Sequence, residues 1–135
     1  MEAVELLKRV PLFADLDGAE LRQIANSMKQ RTFSAGQEIA VEGQSGVGFF
    51  VIEDGQAKVT VQGDEVRRLG PGDYFGEVAL ITQGARTATV TADTDLKTYG
   101  MTFWDFRPLV EDTPSIAWKL LQSAVKQYDQ SSQPE

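Results

Sequence analysis

The chain has 135 residues, of which 41% are hydrophobic, enough for one domain with a sizeable core. It contains no histidine and no cysteine, which excludes a histidine-based triad, a histidine metal site, disulfides and thiol chemistry. A formal net charge of −7 argues against direct nucleic-acid binding and against docking on anionic lipid, both of which use basic patches. Residues 2–9 read as a short helix with Val4, Leu6 and Leu7 as apolar contacts, broken by Pro11. A second helix starts after Asp17, a capping residue with Glu20 three positions on, and Leu21, Ile24, Ala25 and Met28 form one face. From Arg31 the period changes, and Phe33, Ile39 and Val41, punctuated by Gly36 and Gly43, read as short strands.

Phe49-Phe50-Val51-Ile52 is a buried apolar run, Asp54-Gly55 a tight-hairpin pair, and Ala57, Val59 and Val61 alternate with polar neighbours. Gly63-Asp64 marks a turn before a strand over 65–69, and 96–102 supplies a final strand. This spacing predicts a mainly β fold, an antiparallel β-roll or jelly-roll barrel, with an amino-terminal helical segment and carboxy-terminal helices. Residues 103–110 read as a short helix capped by Thr102. Pro114 suits the first turn of a final helix, capped by Thr113, that runs to about Tyr128 and presents Ala117, Leu120, Leu121 and Ala124. The polar tail 129–135 is expected to be disordered, leaving residues 1–128 as the domain. No apolar run is long enough to cross a bilayer and no charged leader is visible, so a cytoplasmic location is expected.

One arginine breaks the pattern. Ala88, Val90 and Ala92 share a phase that should face the core, and Arg86 belongs to that phase. A guanidinium cannot shed its proton, and burying it unpaired costs several kcal/mol, so an anion is expected on the inner side. Just upstream, Gly76 is followed by Glu77-Val78-Ala79-Leu80-Ile81, which can form a short helical turn ending near Gly84. The free amides at the start of such a turn make an anion site, and an arginine aimed there completes a phosphate cradle. Glu77 fits a hydroxyl acceptor better than a phosphate ligand. A phosphate beside a sugar hydroxyl points to a nucleotide, although a buried Glu77–Arg86 ion pair that merely braces the loop is the competing reading.

The run Phe75-Gly76-Glu77-Val78-Ala79-Leu80, followed by Arg86-Thr87-Ala88-Thr89-Val90, resembles the phosphate-binding cassette of cyclic nucleotide-binding domains. The lead-in Arg68-Leu69-Gly70-Pro71-Gly72-Asp73-Tyr74, the helical Val10-Pro11-Leu12-Phe13 and the hairpin around Asp54-Gly55 are similar to the family's motifs in the same order. The resemblance covers about residues 5–128 and is of the cAMP-receptor and protein-kinase regulatory-subunit type. It implies that Arg86 pairs with the cyclic phosphate and Glu77 accepts from the ribose 2′-hydroxyl. Gly76 would allow close approach, and the amides around Ala79 and Thr87 would complete the cradle. Phe75, Val78, Leu80 and Ala88 would wall the pocket, Leu80 packing against the ligand or behind the cassette.

The resemblance further implies a carboxy-terminal lid helix with Trp118, Leu121, Val125 and Tyr128 as candidates to cover the base, though an aromatic at Trp118's spacing more often packs the core. It also brings Ser131-Ser132 near a hydroxyl pair that reaches adenine in bacterial cAMP-receptor regulators. The implied function is a stand-alone, non-enzymatic sensor of a cyclic nucleotide, with cAMP favoured and cGMP kept open by the Thr87 hydroxyl. Binding would move the helices after Thr102 to regulate an unidentified protein partner, and the last helix permits a homodimer. No cofactor or metal is implied beyond the nucleotide ligand, and a metal-dependent cupin is disfavoured by the missing histidines. The alternatives are a ligand-free structural or protein-interaction roll, or an excised regulatory domain of a larger transcription regulator or effector.

Overall fold

Pro11 separates the first two helical pieces: α1 (Ala3–Leu7) buries Leu6 and Leu7, and a 3-10 turn over Pro11–Phe13 buries Leu12 and Phe13. α2 (Gly18–Ser27) carries the reciprocal capping box read from its sequence. The Glu20 amide donates to Asp17 Oδ1 at 2.8 Å, and the Asp17 amide donates to Glu20 Oε1 at 2.9 Å. The structure, a computed structural model, describes residues 2–46, 48–82 and 84–132, the side chains of 130–132 excepted.

Eight strands follow among the described residues: β1 (Lys29–Phe33), β2 (Glu38–Ala40), β3 (Gly48–Asp54), β4 (Ala57–Val61), β5 (Asp64–Leu69), β6 (Tyr74–Phe75), β7 (Thr89–Ala92) and β8 (Leu96–Thr102). They make two antiparallel four-stranded sheets, ordered β1-β8-β3-β6 and β2-β7-β4-β5. The mainly β architecture with flanking helices is as expected, but the closed jelly-roll barrel is not: the two sheets are open. Alternation reveals which face of a strand is buried and says nothing about which strand lies beside it. The edges explain why closure fails. β1 offers the exposed Lys29-Gln30-Arg31-Thr32, a charged edge that discourages further pairing, and β6 is only 2 residues long.

Two cores result, and β3 serves both. Phe49 and Val51 face the helices, where they join Phe13, Ile24, Leu80, Met101, Phe106, Ile116 and Leu120. Ile52 faces the other sheet, with Ala57, Leu69, Phe75, Val90 and Leu96, and Phe50 packs against that cluster. A strand covered on both faces reads as a continuous apolar run, which is what this segment shows.

α3 (Phe103–Asp112) begins at the expected cap, where the Asp105 amide donates to Thr102 Oγ1 at 3.2 Å. α4 (Pro114–Ser132) continues past the expected end at Tyr128, so part of the tail read as disordered is helical. Gln and Ser are tolerated in a helix, and the first strong breaker is Pro134. Residues 133–135 lie outside the described residues. α4 is tied to the amino-terminal segment by Lys119 Nζ on Glu20 Oε1 at 2.6 Å and Ser115 Oγ on Glu20 Oε2 at 2.9 Å. Ser123 Oγ and Lys126 Nζ both donate to Asp15 Oδ2, at 3.1 and 3.0 Å.

Candidate functional site

Gly76 ends β6 with φ at 86°, in the left-handed region. A Cβ there would also overlap the Gly48 carbonyl and lie 2.6 Å from Arg86 Nη1, so conformation and close approach both call for glycine. A 3-10 helix over Glu77–Leu80 follows directly. Its Ala79 amide donates to the Gly76 carbonyl at 2.9 Å, so this amide closes the turn rather than standing free for a ligand. The amides ahead of it, of Glu77 and Val78, are the ones at the open start of the turn.

Arg86 does not sit on a strand, because β7 begins at Thr89. Val90 and Ala92 keep the inward phase, and Arg86 lies in the segment leading to them. That segment is laced to the loop after β2: the Gly43 amide donates to Arg86 O and the Arg86 amide donates to Gln44 O, each at 2.8 Å. An isolated bridge joins Ser45 and Ala85 beside them. The half-buried Arg86 side chain donates from Nη2 to the Gly48 carbonyl at 2.6 Å. Its Nε is buried with no hydrogen-bond partner among the described residues. Burial pushes the guanidinium pKa down from its ordinary value, and the nearby Glu77 charge opposes that shift.

Glu77 and Arg86 line the same cavity of about 260 Å³, together with Phe75, Gly76, Thr87 and Ala88. No salt bridge joins the acid to the guanidinium among the described residues. Six further residues complete the cavity: Ala40, Val59, Arg67, Leu69, Tyr74 and Val90. Burial, then the Glu77 charge, raises the Tyr74 phenol above its ordinary pKa. Sequence reasoning missed this second wall, yet its signal was in the hairpin. Register pairs Ala57 with Leu69 and Val59 with Arg67, and residues opposite one another in an antiparallel pair share a face. Arg67 therefore shares the face of Leu69 and reaches the cavity, though it stays exposed where Leu69 is buried.

Other expected residues fall elsewhere. Val78 is 63% exposed, and with Ala79 it lines an adjoining cavity of about 300 Å³ that Gly76, Glu77, Arg86 and Thr87 also line. Leu80 is buried behind the cassette in the helical core. Trp118, Leu121, Val125 and Tyr128 do not line the cavity: they are 62%, 54%, 50% and 69% exposed on α4. α4 buries Ile116, Leu120 and Ser123, and a stripe offset from these residues must face away. Trp118 accordingly neither covers the cavity nor packs in the core. The side chains of Ser131 and Ser132 lie outside the described residues.

The sequence profile of the cyclic nucleotide-binding domain family matches residues 30–113, from β1 through α3. The chain belongs to the cyclic nucleotide-binding domain family. Its relatives include a cAMP-dependent protein kinase regulatory subunit of Yarrowia lipolytica, 42% identical over 93 residues, which covers 67% of this chain and 25% of that protein. The mouse potassium/sodium hyperpolarization-activated cyclic nucleotide-gated channel 2 is 34% identical over 110 residues, covering 82% of this chain and 13% of the channel. This cyclic nucleotide-binding domain thus spans a quarter or less of these curated relatives. Among solved structures, the N-terminal domain of a transcriptional regulator from Streptomyces coelicolor A3(2) superposes with a TM-score of 0.85 at 30% identity, over 94% of both chains. The matched profile is that of a binding domain. No helix among its described residues is long and apolar enough to cross a membrane.

Proposed function

We propose that this domain senses a cyclic nucleoside monophosphate, cAMP first, with Arg86 on the cyclic phosphate and Glu77 on the ribose 2′-hydroxyl. One observation carries the reading: an acid and a guanidinium face one cavity without pairing. A brace would bring the two charges into contact, whereas a site holds them apart for a ligand that satisfies each. The partly desolvated guanidinium gains most from an anion, because its fork matches two phosphate oxygens. The open start of the Glu77–Leu80 turn adds two amides and the positive end of a short dipole. The name of the Yarrowia relative supports cAMP as the nucleotide.

Arg67 favours a second reading, cGMP. Its guanidinium donates only, so it fits the O6 and N7 acceptors of guanine and offers nothing to the adenine amino group. The Thr87 hydroxyl on the same cavity is free to meet the guanine amino group.

A response route is available behind the cassette. Leu80 shares one core with Phe106, Ile116 and Leu120, so a shift of the Glu77–Leu80 turn repacks α3 and α4. The ligand would act by favouring one of two helix arrangements. α4 also exposes Trp118, Leu121, Val125 and Tyr128 at three-, four- and three-residue spacings, the seam of a two-helix coiled coil. A second copy of this chain offers the same stripe and is the partner that spacing fits.

The test is displacement of a fluorescent cAMP analogue by cAMP, cGMP and 5′-AMP. Displacement by a cyclic nucleotide and not by 5′-AMP supports the site. Equal displacement by all three would remove it. A preference for cGMP that disappears in Arg67→Ala would decide for the second reading.

A further inference from the structure

We propose that Gly46 is a positioning residue for the nucleotide site: its missing side chain leaves the path along which Arg86 reaches the cradle. The inference rests on the reading of Arg86 as the phosphate ligand. Gly46 is buried, and it is not among the residues with positive φ. A left-handed backbone therefore does not explain the glycine.

Arg86 explains it. A Cβ at position 46 would overlap Arg86 Nε and Cζ and lie 2.6 Å from Cδ. These atoms are the middle of the side chain, not a loose end. The far end is fixed by Nη2 on the Gly48 carbonyl, and Nη1 lies against Gly76. Three glycines thus box one guanidinium: Gly46 beside Nε and Cζ, Gly48 at Nη2 and Gly76 at Nη1.

The loop cannot simply retreat from an added methyl group. Gly43 and Gln44 are hydrogen-bonded to the backbone of Arg86 itself, so the loop and the arginine stem move together. The guanidinium would have to leave its slot. Nε, the atom that lies beside Gly46, is buried and has no hydrogen-bond partner among the described residues. The unsatisfied donor is a cost to folding that a purely structural loop would have no reason to keep.

The experiment combines Gly46→Ala, Arg86→Ala and the double substitution, each titrated calorimetrically with cAMP and with cGMP and each melted without nucleotide. The native chain binds, and Gly46→Ala weakens binding by about tenfold or more. The melting midpoint of Gly46→Ala falls, and adding Arg86→Ala restores much of that loss, because the obstructed side chain is gone. A generic packing defect would lower the midpoint equally in both backgrounds, and that result would overturn the proposal. So would native-like affinity in Gly46→Ala, which leaves the nucleotide reading standing. Failure of the native chain to bind either nucleotide removes that reading and the role of Gly46 with it.

Discussion

Among the described residues, Arg86 is held by one carbonyl, lacks a partner at Nε and has no ion pair with Glu77, which leaves its charge to a ligand in the proposed site. Replacing it with lysine keeps the charge and loses the fork. Arg86→Lys should therefore weaken cAMP binding by about tenfold in a calorimetric titration while leaving the fold's circular dichroism unchanged. Glu77 has a sharper chemical partner. Glu77→Ala should weaken cAMP by roughly 10–100-fold, the worth of a charge-assisted hydrogen bond, and leave 2′-deoxy-cAMP almost unaffected. Equal losses with both ligands would mean that Glu77 does not meet the 2′-hydroxyl. Both residues were legible in the sequence, because an arginine in an apolar phase and an acid after a glycine stand out. Arg67 was not singled out, although the hairpin signal was there, because its place on the face of Leu69 follows only once β5 is set in register on β4. Gly46 was also silent: only the path of another side chain explains it.

At the scale of elements, the most consequential attachment is α4 on the amino-terminal segment. Glu20 is buried and accepts from Lys119, Ser115 and the Asp17 amide, and its bond to Lys119 is the first cause of its lowered pKa. Asp15 is lowered as well, first by its bond to Lys126 and then by Ser123. A carboxylate with a depressed folded pKa binds fewer protons folded than unfolded, so its contribution is complete above the unfolded value. For these two, that contribution is present above the ordinary values of 4.5 and 3.8 and is lost as pH falls through the lower folded values. Acid titration of Trp118 fluorescence should therefore show α4 detaching below that range, and Lys119→Met should blunt the transition. No change in the profile of Lys119→Met would show that these contacts do not hold the helix. The capping box that starts α2 was visible as local chemistry. The open sheets were not, because closure depends on whether edge strands such as β1 and β6 find partners.

For the whole molecule, the proposed pairing of two copies rests on the exposed stripe of α4. Paired in a coiled coil, Trp118, Leu121, Val125 and Tyr128 would lose the exposure they have in the single chain. Sedimentation velocity should find a dimer that Leu121→Glu with Val125→Glu converts to a monomer still able to bind nucleotide. A native chain that stays monomeric at high concentration would exclude the seam. Ligand and fold are also linked. At 100 times its dissociation constant a nucleotide that binds only the folded chain adds about 2.7 kcal/mol of stability, visible as a raised melting temperature. The sequence carried the family's motifs and the mainly β class at this scale. It offered the stripe both as a lid over the base and as core packing, because helical spacing gives a face without saying which way the helix is turned.

Calorimetric titration of the native chain and of Arg86→Leu with cAMP tests the sensing site most directly. The expected result is saturable binding to the native chain, one nucleotide per chain, and no detectable heat of binding with Arg86→Leu. Equal affinity in the two proteins would contradict it, because the phosphate would then be held by something other than the guanidinium facing the cavity.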